Sequence, residues 1–523
     1  MKARKVLTAV LAALMVISML AGCGGGSGSN AKVELNEDVL KLEGLLASAE
    51  PLDLTLHMHY GGKPYWQTDG RLAKKAFEYT NINLKNTASA AQADSNQAFT
   101  TMMLSDVLPD VIHGNTKKLN EAGLAGALIP IEDYIKDYAP NMYKYFQEYP
   151  ENFDALKAPD GHVYFIPRFY EESPAQGWII RKDWLDKVGM EPPTNVDEYY
   201  QMLKAFREKD PNGNGVKDEI PYYNSANHLQ GLFGLWGLPA EWYWYTDDGK
   251  IYAKFMTEEY KYALKEVARW YAEGLIDPEI FTRRGAREQL WSENNGGACI
   301  NWFSSTLRFN ETVTNPPDFE LLVIDPPMDI NGNVISWNPR QIVTEQGWGI
   351  SKDNKYVAET MKYLDFWFSE EGKNLMFYGI EGEEYTVQPD GSFKFTEKVT
   401  SYATGVPTYL KDNGFSLDIG VPAPLEAEVA GMTGYGKAAF EDYKAKDFNV
   451  KPFPPLTYTA EENRVMTTTY TDVFTCFDEF YQGAVLGNID VDAAWDSYIE
   501  QLKDYGVEKV LAAMQSAYDR MYK

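Results

Sequence analysis

The chain has 523 residues, with 76 Asp or Glu against 49 Lys or Arg and a formal net charge of −27. Such an acidic balance argues against nucleic acid and against anionic lipid surfaces as partners. The length exceeds the ~300 residues at which single cores stop growing, so two or more lobes are expected.

The first element is an export segment. Lys2, Arg4 and Lys5 precede an apolar run from Val6 to Leu20, which Leu20-Ala21-Gly22-Cys23 closes. It is too short and wrongly flanked for a spanning helix and reads as a secretory signal. A plain signal ends in an A-x-A-like site; L-A-G-C instead resembles the lipobox of bacterial lipoproteins. That resemblance implies a signal peptide over 1–22 and diacylglycerol on Cys23, with the mature chain held at the extracellular face of the cell membrane. Each buried methylene of such an anchor contributes about 0.8 kcal/mol. Gly24 to Asn30 is GGGSGSN, so 23–48 is expected to be a flexible tether. Losing the three basic residues of the signal leaves the mature chain at −30. No later apolar run approaches the ~20 residues of a membrane span.

Leu52 to Met58 alternates apolar and polar residues, as a half-buried strand does, and a helix is expected from Arg71 to Tyr79. Leu108 to Ile112 reads as a strand that ends in the loop His113-Gly114-Asn115. Ile131 to Tyr138 reads as a short helix. After Pro192-Pro193, Thr194 or Asn195 caps a helix with Val196, Tyr199, Tyr200, Leu203 and Phe206 on one face. Thr257 to Glu273, Ala358 to Phe368, Val491 to Tyr505 and Val507 to Met521 repeat that period. Short strands alternating with these helices predict α/β layers. Cys299 and Cys476 lie in apolar surroundings and read as small buried hydrophobes; whether they pair is open.

The sharpest chemical motif is Asp210-Pro211-Asn212-Gly213-Asn214-Gly215-Val216-Lys217-Asp218-Glu219. Oxygen side chains at alternate positions with glycine at the sixth let a loop fold around a hard cation. Asp210, Asn212, Asn214 and Gly215 follow the first half of the EF-hand pattern. Pro221 stands where the bidentate glutamate belongs, so Asp218 and Glu219 are expected to close the shell, with the Val216 carbonyl as a further ligand. A structural calcium ion is expected there. The plain alternative is a turn built of good turn residues.

Aromatic residues make up 14% of the chain, with 13 Trp and 35 Tyr. Trp236, Trp242, Tyr243, Trp244 and Tyr245 fall within ten residues, Trp302 follows Asn301, and Trp178, Trp337 and Trp348 are scattered. Flat apolar faces suit the CH-rich faces of sugars. Trp270, Trp367 and Trp495, on helices, read as packing.

Ile180-Arg181-Lys182-Asp183-Trp184-Leu185, the Pro-Pro-Thr helix start and the DPNGNG loop together resemble bacterial extracellular solute-binding proteins of family 1. The nearest group is the long LipO-like and LplA-like lipoproteins of Gram-positive bacteria. Trp270-Tyr271-Ala272-Glu273-Gly274, Glu345-Gln346-Gly347-Trp348-Gly349 and Gly379-Ile380-Glu381-Gly382 fit the same pattern. The resemblance implies a type II periplasmic-binding-protein-like α/β fold of two hinged, discontinuous lobes. Lobe 1 is expected over 49–165 plus 303–370, and lobe 2 over 166–302 plus 371–523. It implies an oligosaccharide ligand in the cleft, delivery to ABC permease subunits, no catalysis and a monomer. The contacts expected are Tyr60, Trp66, His113, Asn115, Arg168, Glu171, Trp178, Trp236, Trp242, Trp302 and Trp348. Competing readings are a secreted glycan-active enzyme, using a carboxylate pair among the many acidic residues, or a peptide-binding receptor. No H-E-x-x-H, nucleophile elbow or P-loop supports an enzyme. His57 and His59 could share a strand face for a metal, but the chain has only five His.

Overall fold

A computed structural model describes residues 35–523 apart from 225, 239–243, 284–285, 339, 449 and 451–452. Cys23, the signal segment and Trp242 lie outside the described residues. The end of the expected tether is not loose. Glu37–Lys41 forms a short 3₁₀ turn with Val39 buried. Lys362 Nζ donates to the Val39 carbonyl at 3.0 Å, and Ala47 N bonds Thr80 O.

Ten strands form the two main sheets: β1 (Leu52–His57), β2 (Ile82–Asn86), β3 (Val111–Asn115), β4 (Ile166–Phe169), β5 (Gln176–Arg181), β6 (Ile220–Tyr222), β7 (Gly296–Trp302), β8 (Leu321–Ile324), β9 (Val343–Ile350) and β10 (Val421–Pro422). The first sheet has the order β10-β4-β9-β3-β1-β2, and the second β8-β5-β7-β6. In the first, β9 alone runs against its neighbours, with Gln346 opposite Asn115 and a bulge between Val343 and Gly347. Helices cover both sheets, as crossovers between parallel strands require.

The expected helices form close to their forecast ends, as Arg71–Thr80, Glu132–Tyr138, Val196–Glu208, Glu258–Ala272, Val357–Phe366, Val491–Asp504 and Val507–Tyr522. Asn195 is the cap of its helix, its side chain accepting from Glu198 N. The strand expected from Leu108 begins instead at Val111, and His113-Gly114-Asn115 belongs to it. The reason is pairing with β9, which continues through all three residues. Gly114 also has to be glycine-sized there, since a Cβ would meet the Phe99 ring at 2.7 Å.

Two sheets mean two lobes, but the chain divides between them differently from expectation. Residues 303–324 stay with the second sheet, because β8 pairs with β5. β4 and β10 belong to the first, so most of 371–422 returns to lobe 1. The chain therefore crosses between sheets three times, at 170–175, 325–342 and 423–433. These crossings are stitched together. Tyr170 N bonds Ile342 O at 2.8 Å, Asn338 Nδ2 bonds Ser173 O at 2.6 Å, and Leu425 N bonds Glu171 Oε1 at 3.2 Å. The second lobe's core gathers Trp178, Tyr199, Phe206, Trp236, Trp270, Phe477 and Trp495 on one face of its sheet. Cys299 and Cys476 are both buried, and no disulfide joins them.

Candidate functional site

A groove of 1110 Å³ runs between elements of the two lobes. Lobe 1 supplies Thr116, Lys117, Asn120 and Glu121 from the helix Thr116–Leu124, and Gln341 to Glu345 at the hinge end of β9. Lobe 2 supplies Trp244, Phe453, Tyr458, Asn463 and Arg464. Asn115 sets the lobe 1 wall: its side chain accepts from Lys117 N at 3.0 Å and so fixes the helix start. Two bonds cross from lobe to lobe here. Thr457 Oγ1 donates to Lys157 O at 3.1 Å, and Asn463 Nδ2 donates to Glu121 Oε1. Aromatic faces beside amides and charges in a long cleft suit a chain of sugar rings.

None of the contact residues expected from sequence is among those lining this groove, although Asn115 directly precedes it. Three of them meet elsewhere on lobe 1, around Asp418. His113 Nε2 donates to the Asp418 carbonyl at 2.8 Å, and the Arg168 guanidinium stands 3.3 Å from the Asp418 carboxylate. Arg168 Nη1 also donates to the Tyr170 hydroxyl at 2.8 Å. The Tyr60 ring lies edge-on to His113 at 6.1 Å, and burial, then the Asp418 charge, push its hydroxyl pKa up. His113 and Arg168 are sealed and do not face a ligand. Burial holds the His113 pKa down, at about 4, and keeps the ring neutral. Asp418, preceding a two-residue strand, gave no sequence signal.

Trp302 is half-buried at the end of β7, directly opposite Gln176 in the register. Both Gln176 amide atoms are buried without a hydrogen-bond partner. This pair continues the face that carries Trp178 and Ile300, whose core also receives Phe453, Leu456 and Tyr458 of the groove. Glu171 is exposed and serves the hinge through Leu425. Trp66, Trp178, Trp236 and Trp348 are core residues, which corrects their assignment as stacking faces. Trp66 Nε1 donates to Leu84 O, Trp178 packs edge-on to Tyr199, Trp236 packs on Trp270, and Trp348 is 0% exposed. Large rings satisfy a core's need for area more often than a ligand's. Trp244 of the aromatic cluster borders the groove, but it too is buried, edge-on to Phe255 in the lobe 2 core.

In the loop 210–219, Asp210 has a left-handed φ of 48° and its carboxylate accepts from Asn214 N and Gly215 N at 3.1 and 3.0 Å. Asn212 and Asn214 turn their amides onto Asp218 at 3.0–3.1 Å. Both oxygens of Glu219 are buried without a partner, and burial, then Asp218 and Asp210, raise its pKa. Arg207 holds the loop's end through the carbonyls of Lys217 and Glu219. Among the described residues no group of three His, Cys, Asp or Glu is drawn together as a metal cage. The donors present are nevertheless hard oxygens, and an orphaned buried carboxylate beside two others fits a divalent cation better than it fits a plain turn.

The chain matches the model of the family described as bacterial extracellular solute-binding protein over residues 67–374. A domain of unknown function, DUF3502, matches over 455–523. Among solved structures, the alginate-binding protein AlgQ2, in a crystal structure without calcium ion, is 36% identical with a TM-score of 0.81. That likeness covers 91% of this chain and 100% of the other. The fructooligosaccharide ABC transporter substrate-binding protein FusA of Streptococcus pneumoniae serotype 4 (strain ATCC BAA-334 / TIGR4) is 27% identical over 459 residues, 79% of this chain and 80% of its own. The polygalacturonan/rhamnogalacturonan-binding protein YtcQ of Bacillus subtilis (strain 168) is 27% identical over 321 residues, 55% of this chain and 60% of its own.

Proposed function

Because the chain belongs to the bacterial extracellular solute-binding protein family, we propose that it captures an oligosaccharide between its lobes and delivers it to an ABC permease. The observation that carries this reading is the 1110 Å³ groove, with Phe453 and Tyr458 for sugar faces and Asn120, Lys117 and Asn463 for hydroxyls. The names of AlgQ2, FusA and YtcQ, each a carbohydrate-binding or carbohydrate-transporting protein, support it. Tyr60 and Trp302, both only half-buried, are further candidate sugar contacts outside this groove. Three crossings between sheets give the lobes a hinge about which to close on the ligand.

The finer parts of the reading are a structural calcium ion in the loop 210–219 and a lipid anchor on Cys23. The unpartnered Glu219 carboxylate supports the first; the L-A-G-C string supports the second. No helix among the described residues is long and apolar enough to cross a membrane. The test is a glycan-panel thermal-shift screen on the mature chain, followed by calorimetry. Saturable binding of at least one oligosaccharide is expected, with the glycan recovered intact. Cleavage of the glycan, or binding of peptides in its place, overturns the reading.

A further inference from the structure

We propose that the oligosaccharide taken by the groove carries carboxylates, and that Arg464 and Lys117 recognise them from its two walls. This rests on the reading of the groove as a glycan site and names the class of glycan.

Arg464 is exposed on the helix Ala460–Thr467 and lines the groove. Among the arginines whose side chains are described, its guanidinium alone has neither hydrogen bond nor ion pair. The others meet carboxylates, as Arg71 and Arg520 do, or backbone carbonyls, as Arg207 and Arg308 do. That is unexpected in a chain where acidic residues outnumber basic ones by 76 to 49. A guanidinium offers five N–H donors in a planar fork that matches a carboxylate through two parallel bonds.

Its surroundings point the same way. Asn463, the residue before it, donates to Glu121 across the groove. Lys117 precedes Glu121 by one helical turn on the same face, which brings Lys117 toward the Arg464 wall. Lys117 makes no ion pair among the described residues. It sits in the first turn of a nine-residue helix, where free N–H groups and the helix dipole add positive potential. Carboxylates line the groove as well. Glu121 is engaged by Asn463 and Asp154 by Lys157, while Glu151 and Glu345 stay unpaired. The attraction is therefore local to Arg464 and Lys117, so recognition requires a uronate placed at that point and not merely a polyanion. Charge-assisted bonds there distinguish an acid sugar from its neutral isostere.

The test is calorimetry of the mature chain with trigalacturonate, trimannuronate, the methyl ester of each, and kestose. The expected result is at least tenfold tighter binding of one acid than of its ester. R464Q is expected to cut that ratio below threefold at an unchanged melting temperature, since Arg464 is exposed. Equal affinity for acid and ester, a preference for kestose, or an undiminished ratio in R464Q overturns the proposal while the glycan reading stands. Failure to bind any glycan in the panel overturns both.

Discussion

Arg340 on the second crossing pairs with Glu428 on the third at 2.8 Å, and its guanidinium lies 5.2 Å from the ring centre of Tyr170 on the first. One side chain thus touches all three crossings of the hinge. Tyr170 also receives Arg168, which meets Asp418 of lobe 1. A continuous row of charged and aromatic groups joins the Asp418 cluster to the hinge.

Glu428→Gln leaves the Arg340 side chain, 5% exposed, without its counter-charge. Breaking a fully buried pair costs about 3–5 kcal/mol, and the partial exposure of Glu428 places this loss toward or below the lower end. Urea denaturation measures it. A change smaller than about 0.5 kcal/mol, the scale of an ordinary surface substitution, contradicts the role.

Stability is expected to fall in acid through Glu384. Burial alone raises its pKa, but Arg71, Lys398, Ile380 N and Tyr409 all donate to it and bring it down to about 2. A carboxylate held low in the folded state stabilises the protein above its unfolded pKa, ordinarily near 4.3. That contribution is lost as pH falls toward 2. Arg71 is partly exposed and solvent screens it, so the term is about 2–3 kcal/mol. Glu384→Gln compared with the parent chain across pH 2–7 should show a gap that is widest at neutral pH and closes in acid.

Calcium at a hundredfold excess over its dissociation constant should stabilise the chain by about 2.7 kcal/mol. Glu219→Gln should remove most of this gain, because it takes the charge from the one loop carboxylate that is buried without a partner. A melting temperature indifferent to calcium and to chelator contradicts the site.

Trp302 and Trp348 should behave oppositely. Trp302→Ala is expected to weaken glycan binding at least tenfold, about 1.4 kcal/mol, with little change in melting temperature. Trp348 is 0% exposed, so Trp348→Ala should cost about 3–5 kcal/mol of stability and alter affinity only through unfolding. Calorimetry and a melt on the same two variants separate binding from packing.

The sequence by itself determined the architecture and the family, because both are written in local patterns. Helical periodicity placed Val196–Glu208 and Val491–Asp504 within a residue or two of their observed ends. The oxygen spacing of 210–219 marked the loop whose Asp210 and Asn212 now organise its backbone. Sequence could not say which tryptophans the core seals. Trp302 and Trp348 both lie on strands, and only the layers stacked above them leave one half-buried and seal the other. Nor could it divide the lobes, since β10 joins β4 across some 250 residues of chain through pairing that no local string records. The same holds for the groove. Lys117 and Arg464 are far apart in sequence, and their joint meaning arises only where the tertiary fold brings Glu121 to Asn463. Local propensity is set by near neighbours along the chain, whereas burial, charge pairing and the shape of a cleft are set by neighbours in space.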